Sequence, residues 1–127
     1  MTTPKKHILL VDDDPKITRL LRLNLEDTGL YEAREENRAS RAVEAAREFH
    51  PDLILLDVLM PGLDGGSLAE HFRRTPGFRD TPIVFLTAAV SPEEVRARHG
   101  VVGGMPFLAK PVDFSELLAC LRKHLGA

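Results

Sequence analysis

The sequence predicts an α/β protein in which five strands form one doubly wound parallel sheet, covered on both faces by five helices. Three observations predict it. The runs from His7 to Val11, Leu53 to Leu56 and Pro82 to Leu86 are almost wholly apolar, without the polar alternation of a strand that faces water on one side. Stretches with apolar residues at helical spacing lie between them. Strand and helix alternate along the chain, which implies a parallel sheet closed by right-handed crossovers.

The first strand ends at Asp12, and a helix follows from Pro15 to Thr28. Ile17, Leu20, Leu21 and Leu25 recur at helical spacing, Asp14 is placed to cap, Pro15 suits the first turn and Gly29 ends it. Leu30 to Glu35 reads as an edge strand, because Tyr31 and Ala33 alternate with charged residues. Asn37 can cap a second helix reaching about Phe49. The third strand ends at Asp57, and PGLDGG from Pro61 to Gly66 is turn chemistry in which Asp64 is a turn residue. A helix then covers Ser67 to Arg74. Beyond the fourth strand, Ser91-Pro92-Glu93-Glu94 forms a capping box for a helix to about His99. Gly103 and Gly104 close the connection to a fifth strand from Met105 to Ala109. Asp113 caps a last helix with an apolar stripe of Phe114, Leu117, Leu118, Leu121 and Leu125.

A length of 127 residues suits one domain spanning 1–127. With 17 basic and 19 acidic side chains and a net charge of −2, composition offers no electrostatic reason to expect nucleic acid or an anionic membrane as partner. Cys120 is the sole cysteine and cannot form an intramolecular disulfide, and MTTPKKHILLVDDDP lacks the apolar core of a secretory signal. The apolar runs fall far short of the roughly 20 residues that cross a bilayer. The expected location is therefore the cytoplasm.

In open α/β sheets, ligands bind outside the carboxyl ends of the strands. Asp12, Asp13 and Asp14 follow the first strand, Asp57 the third, Thr87 the fourth and Lys110 the fifth. Carboxylates brought together repel one another, and a hard divalent cation with oxygen ligands relieves this. Mg²⁺ suits Asp13 and Asp57, with Asp12 able to hold a coordinated water. A carboxylate nucleophile, a cation, a lysine and a hydroxyl are the parts that phosphoryl transfer onto an aspartate needs. The plainer readings are a cap for Asp14, a β-branched strand residue for Thr87, a surface lysine for Lys110 and a packing residue for Cys120. No histidine neighbours a catalytic partner.

The runs ILLVDDDP, LLDVLMPGLDG, PIVFLTA and FLAKP, in this order and spacing, are similar to the response-regulator receiver domain of two-component signal transduction. The resemblance extends from His7 to His124. It implies a flavodoxin-like (CheY-like) three-layer sandwich with strand order 2-1-3-4-5. It makes Asp57 the phosphoacceptor, Asp12 and Asp13 the acidic pair, Thr87 the switch hydroxyl and Lys110 the lysine. Leu59 would lend its backbone carbonyl to the Mg²⁺, Phe107 would occupy the aromatic switch position, and Pro111 would follow a cis peptide bond. The phosphodonor would be a histidine kinase or a phosphotransfer protein. Output would pass to a protein partner through the face built by the fourth helix, fifth strand and last helix.

The same resemblance implies a switch, not an enzyme with a separate substrate. Leu59 and Ala89, two positions after Asp57 and Thr87, offer no polar group to align water, so self-dephosphorylation is expected to be slow. The stretch AAVSPEEVRARHGVVGGMP follows the family only loosely. No helix-turn-helix follows the last helix, so direct nucleic-acid contact is not expected unless this is an excised domain. The oligomeric state is open between a monomer and a phosphorylation-dependent dimer. Two rival readings are an unphosphorylated binding module on the same fold and a haloacid-dehalogenase-type phosphohydrolase. The second lacks its D-x-D-x-[TV] signature and cap.

Overall fold

The computed structural model of the chain describes residues 4–58, 65–88, 101–102 and 105–126. Among the described residues, six strands form the sheet, in spatial order β2-β1-β3-β4-β6-β5: β1 (Lys6–Val11), β2 (Tyr31–Glu36), β3 (Leu53–Asp57), β4 (Ile83–Thr87), β5 (Val101–Val102) and β6 (Met105–Ala109). The five longer strands are parallel and keep the expected order 2-1-3-4-5. The sixth, β5, is an addition to expectation. Its two residues pair antiparallel with Met105 and Pro106, too short a segment to show any periodicity.

Successive strand residues point to opposite faces, so an apolar run supplies two cores at once. Leu9, Val11, Ile54, Leu56, Ile83 and Phe85 meet α2 (Ala42–Phe49) and α3 (Gly65–Arg74) through Ala42, Ala45, Ala46, Leu68, Ala69 and Phe72. Ile8, Leu10, Leu53, Leu55, Val84, Leu86 and Leu108 meet α1 (Pro15–Asp27) and the C-terminal helix (Phe114–Leu125) through Leu21, Leu25, Leu117 and Leu121. Each fully buried leucine, isoleucine or valine among them contributes on the order of 1.5–3 kcal/mol relative to exposure. The three central strands are thereby fixed between two layers, and their ends become rigid mounting points.

Local chemistry explains the helix ends. Asp14 caps α1, its Oδ1 accepting the Lys16 N–H at 2.9 Å, with Pro15 in the first turn and Gly29 at φ 76° beyond the end. Asp113 caps the C-terminal helix by accepting from the Ser115 and Glu116 amides. Two expectations need correction. Leu20 is 60 % exposed, whereas Thr18 is fully buried on the inner face of α1. Asn37 does not cap the second helix, which begins through a 3₁₀ turn at Ala39–Arg41 with no side-chain cap. The helix expected from Pro92 to His99 lies outside the described residues, as do Leu59, Asp64 and Ala89. No described helix is long and apolar enough to cross a membrane.

Candidate phosphoacceptor and metal site

Asp12 follows the last residue of β1, Asp57 ends β3, Thr87 ends β4 and Lys110 follows β6. The parallel register brings these ends to one rim: Val11 lies beside Leu56, Asp57 beside Leu86, and Thr87 beside Ala109. Backbone bonds extend the alignment past the strands. The Lys110 N–H donates to the Thr87 carbonyl at 2.9 Å, and the Asp12 N–H donates to the Glu36 carbonyl at 3.2 Å.

Asp12, Asp57 and Thr87 are buried, at 1 %, 4 % and 2 % exposure, whereas Asp13 is exposed. Each of the three aspartates presents a carboxylate oxygen within 4.8 Å of the other two. Lys110 Nζ lies 2.7 Å from Asp12 Oδ2 and 3.4 Å from Asp57 Oδ1. Burial alone would push the Lys110 ammonium toward deprotonation, but the contacts with Asp12 and Asp57 outweigh it and hold its pKa above the ordinary lysine value. The amine is a fixed positive charge at neutral pH.

Among the described residues, one ammonium faces three carboxylates. Asp12 Oδ2 is buried and meets the Lys110 ammonium at 2.7 Å. Three carboxylates whose oxygens lie within 4.8 Å of one another, two of them on buried residues, fit a hard divalent cation with a partly hydrated shell. Asp14, the third of the acidic run, is committed to its cap and takes no part in this cluster.

The remaining predicted positions divide. The Lys110–Pro111 bond is cis, as expected. Phe107 is half-buried and stacks on Phe85, with ring centroids 5.1 Å apart and planes at 28°. Leu59 lies outside the described residues. Sequence reading missed the polar support behind Asp12. Asn37 Nδ2 donates to the Asp12 carbonyl at 2.8 Å and to Thr18 Oγ1 at 2.9 Å, and Thr18 Oγ1 donates to Glu35 Oε1 at 2.8 Å. The available signal was a hydroxyl residue, Thr18, spaced three and seven residues before Leu21 and Leu25 on the same helix face.

A family model described as the response regulator receiver domain matches residues 8–122. The chain is 38 % identical over 122 residues to the transcriptional regulatory protein YkoG of Bacillus subtilis, covering 95 % of this chain and 51 % of that protein. It is 30 % identical to the polar-differentiation response regulator DivK of Brucella ovis, covering 95 % and 97 %. The solved structure of the chemotaxis protein CheY4 of Vibrio cholerae superposes with a TM-score of 0.79 at 31 % identity, covering 94 % of this chain and 98 % of that one. The chain spans about half the length of several curated relatives it matches, some of them named as DNA-binding regulators.

Proposed function

The chain belongs to the response-regulator receiver family, and from that premise we propose that Asp57 accepts a phosphoryl group from a histidine kinase or phosphotransfer protein in a Mg²⁺-dependent reaction. The observation that carries this reading is the buried Asp12–Lys110–Asp57 contact, with Asp13 completing an acidic cluster at the carboxyl ends of the strands. Asp12, Asp13 and Asp57 would hold the cation, which when bound supplies charge neutralisation at the phosphoryl oxygens.

An Asp57 carboxylate oxygen attacks phosphorus while the bond from phosphorus to the donor atom breaks. The electron pair departs with the donor, and a histidine donor leaves as imidazole after taking a proton. Lys110 already lies 3.4 Å from Asp57 Oδ1, so its charge can follow the acceptor as negative charge builds on the transferred group. Thr87, buried at the end of the neighbouring strand, offers its hydroxyl to a phosphoryl oxygen. Phe107, which has no hydroxyl, responds through its packing on Phe85, and output leaves through the surface around β6 and the C-terminal helix. The protein catalyses its own phosphorylation and slow dephosphorylation, without a separate substrate. It acts in the cytoplasm through a protein partner, and the receiver itself makes no nucleic-acid contact.

The test is intact mass after incubation with Mg²⁺ and acetyl phosphate. One added phosphoryl group is expected on the wild type, with none in Asp57→Asn and none after chelation. An unchanged wild-type mass under conditions that stabilise acyl phosphates would contradict the reading.

A further inference from the structure

The peptide plane joining Asp12 to Asp13 carries the Asp12 carbonyl at one end and leads directly into the Asp13 Cα. That carbonyl lies beyond the last residue of β1 and accepts instead from Asn37 Nδ2 at 2.8 Å. The other polar groups of Asp12 are also held. Its N–H reaches the Glu36 carbonyl at 3.2 Å, and its Oδ1 accepts the Asp14 N–H at 3.0 Å. Only Oδ2 remains to face Lys110 and the acidic cluster.

The bonds behind Asn37 run in one direction. A carbonyl can only accept, so the Asn37 amide nitrogen must face Asp12, and its second N–H points to Thr18 Oγ1 at 2.9 Å. Having accepted there, the Thr18 hydroxyl spends its proton on Glu35 Oε1 at 2.8 Å, a shorter contact than the 3.3 Å to the Pro15 carbonyl. Beyond Glu35, Arg22 Nε lies 3.1 Å from Oε2 as an ion pair. Thr18 is fully buried, so the links of its hydroxyl replace those that water would otherwise make. The chain ties α1, the end of β2 and the following loop to one peptide plane.

We propose that Asn37 and Thr18 are positioning residues that fix the Asp12–Asp13 peptide and thereby aim both carboxylates at a bound divalent cation. This rests on the reading of Asp12 and Asp13 as cation ligands. Neither residue touches the cation or the phosphoryl group; each acts through the Asp12 main chain.

The experiment measures the Mg²⁺ dissociation constant of the full chain by calorimetry, alongside thermal unfolding. N37A and T18V should each weaken Mg²⁺ binding by roughly 10-fold, the lower end of what loss of an outer-shell partner costs. T18S, which keeps the hydroxyl, should bind near the wild-type affinity. T28A removes the hydroxyl that accepts from Leu30 N–H and donates to the Leu25 carbonyl at the far end of α1. It should lower the unfolding temperature and leave Mg²⁺ affinity alone. T18V preserves side-chain shape and keeps the test alive if N37A does not fold. Wild-type affinity in T18V and N37A, or an equal loss in T28A, would overturn the proposal while leaving the cation site intact. Absence of Mg²⁺ binding by the wild type would overturn the site reading itself, and this inference with it.

Discussion

At the amino-terminal rim of the sheet, Asp52 is exposed and accepts the His7 N–H at 2.7 Å. Beside it, His7 Nε2 lies 3.2 Å from Glu32, its Nδ1 lies 3.0 Å from the Phe49 carbonyl, and its ring stacks on Phe49. At the carboxyl rim, Asp12 and Asp57 are buried, share one lysine, and have Asp13 alongside. The first rim disposes of its charges as a stable fold would, with a backbone donor for Asp52, the His7 ring beside Glu32, and both acids open to solvent. Among the described residues, the second sets three carboxylates, two of them buried, against the Lys110 ammonium. Burying charge without full compensation opposes folding. The same sheet thus carries a relaxed rim and a costly one, and the costly one is the proposed cation site.

The largest test of this contrast removes the one ammonium. K110M removes the Lys110 ammonium from Asp12 and Asp57 and should cost about 3 kcal/mol in urea unfolding, the low end for breaking a buried pair because the Lys110 side chain keeps some contact with solvent. D52N keeps an acceptor for His7 N–H and should stay within about 1 kcal/mol of wild type. Equal losses in the two variants would erase the distinction between the rims. Lys110 also sets a pH dependence. Its pKa is raised on folding, so its stabilisation is complete below the ordinary value of 10.5 and fades as pH climbs through the higher folded value. Alkaline urea titrations of K110M should lack that component. The Tyr31 phenol is pushed up by burial, partly offset by Arg122, and acts in the same range, so both proteins are best compared as Y31F.

A divalent cation should sharpen the contrast in the other direction. Mg²⁺ at ten times its dissociation constant should stabilise the wild type by about 1.4 kcal/mol. D13N should lose most of that gain yet be more stable than wild type without metal, since one of three mutually repelling carboxylates is gone. Metal-free D13N less stable than the wild type would contradict the electrostatic account. The smallest effect belongs to the relaxed rim. Tyr31 Oη, at the start of β2, is buried without a hydrogen-bond partner among the described residues. Y31F should therefore gain about 1 kcal/mol in urea unfolding, with Mg²⁺ affinity unchanged.

Much of this was legible in the sequence because the physics is local. Leu53 to Leu56 can be apolar throughout only if helices cover both faces, and Asp14-Pro15 marks a helix start by its own chemistry. The rim followed from strand ends: Asp57, Thr87 and Lys110 each sit at or just beyond the end of an apolar run. What stayed hidden depends on tertiary partners. Spacing alone permits Leu20 or Thr18 to face inward, and only contact with Glu35 and Asn37 decides for Thr18. Asn37 has the local preference of a cap, but the Asp12 carbonyl takes its amide instead. Val101–Val102 is too short to announce itself as a strand.

The central claim is that the costly rim exists to form an acyl phosphate on one residue. Borohydride reduces an acyl phosphate to the alcohol, so trapping after treatment with acetyl phosphate converts a phosphorylated aspartate into homoserine, which a peptide map assigns to its position. The account predicts homoserine at position 57 alone, present with Mg²⁺ and absent after chelation. Homoserine at Asp12, Asp13 or Asp52, or conversion at Asp57 that ignores the metal, would contradict it.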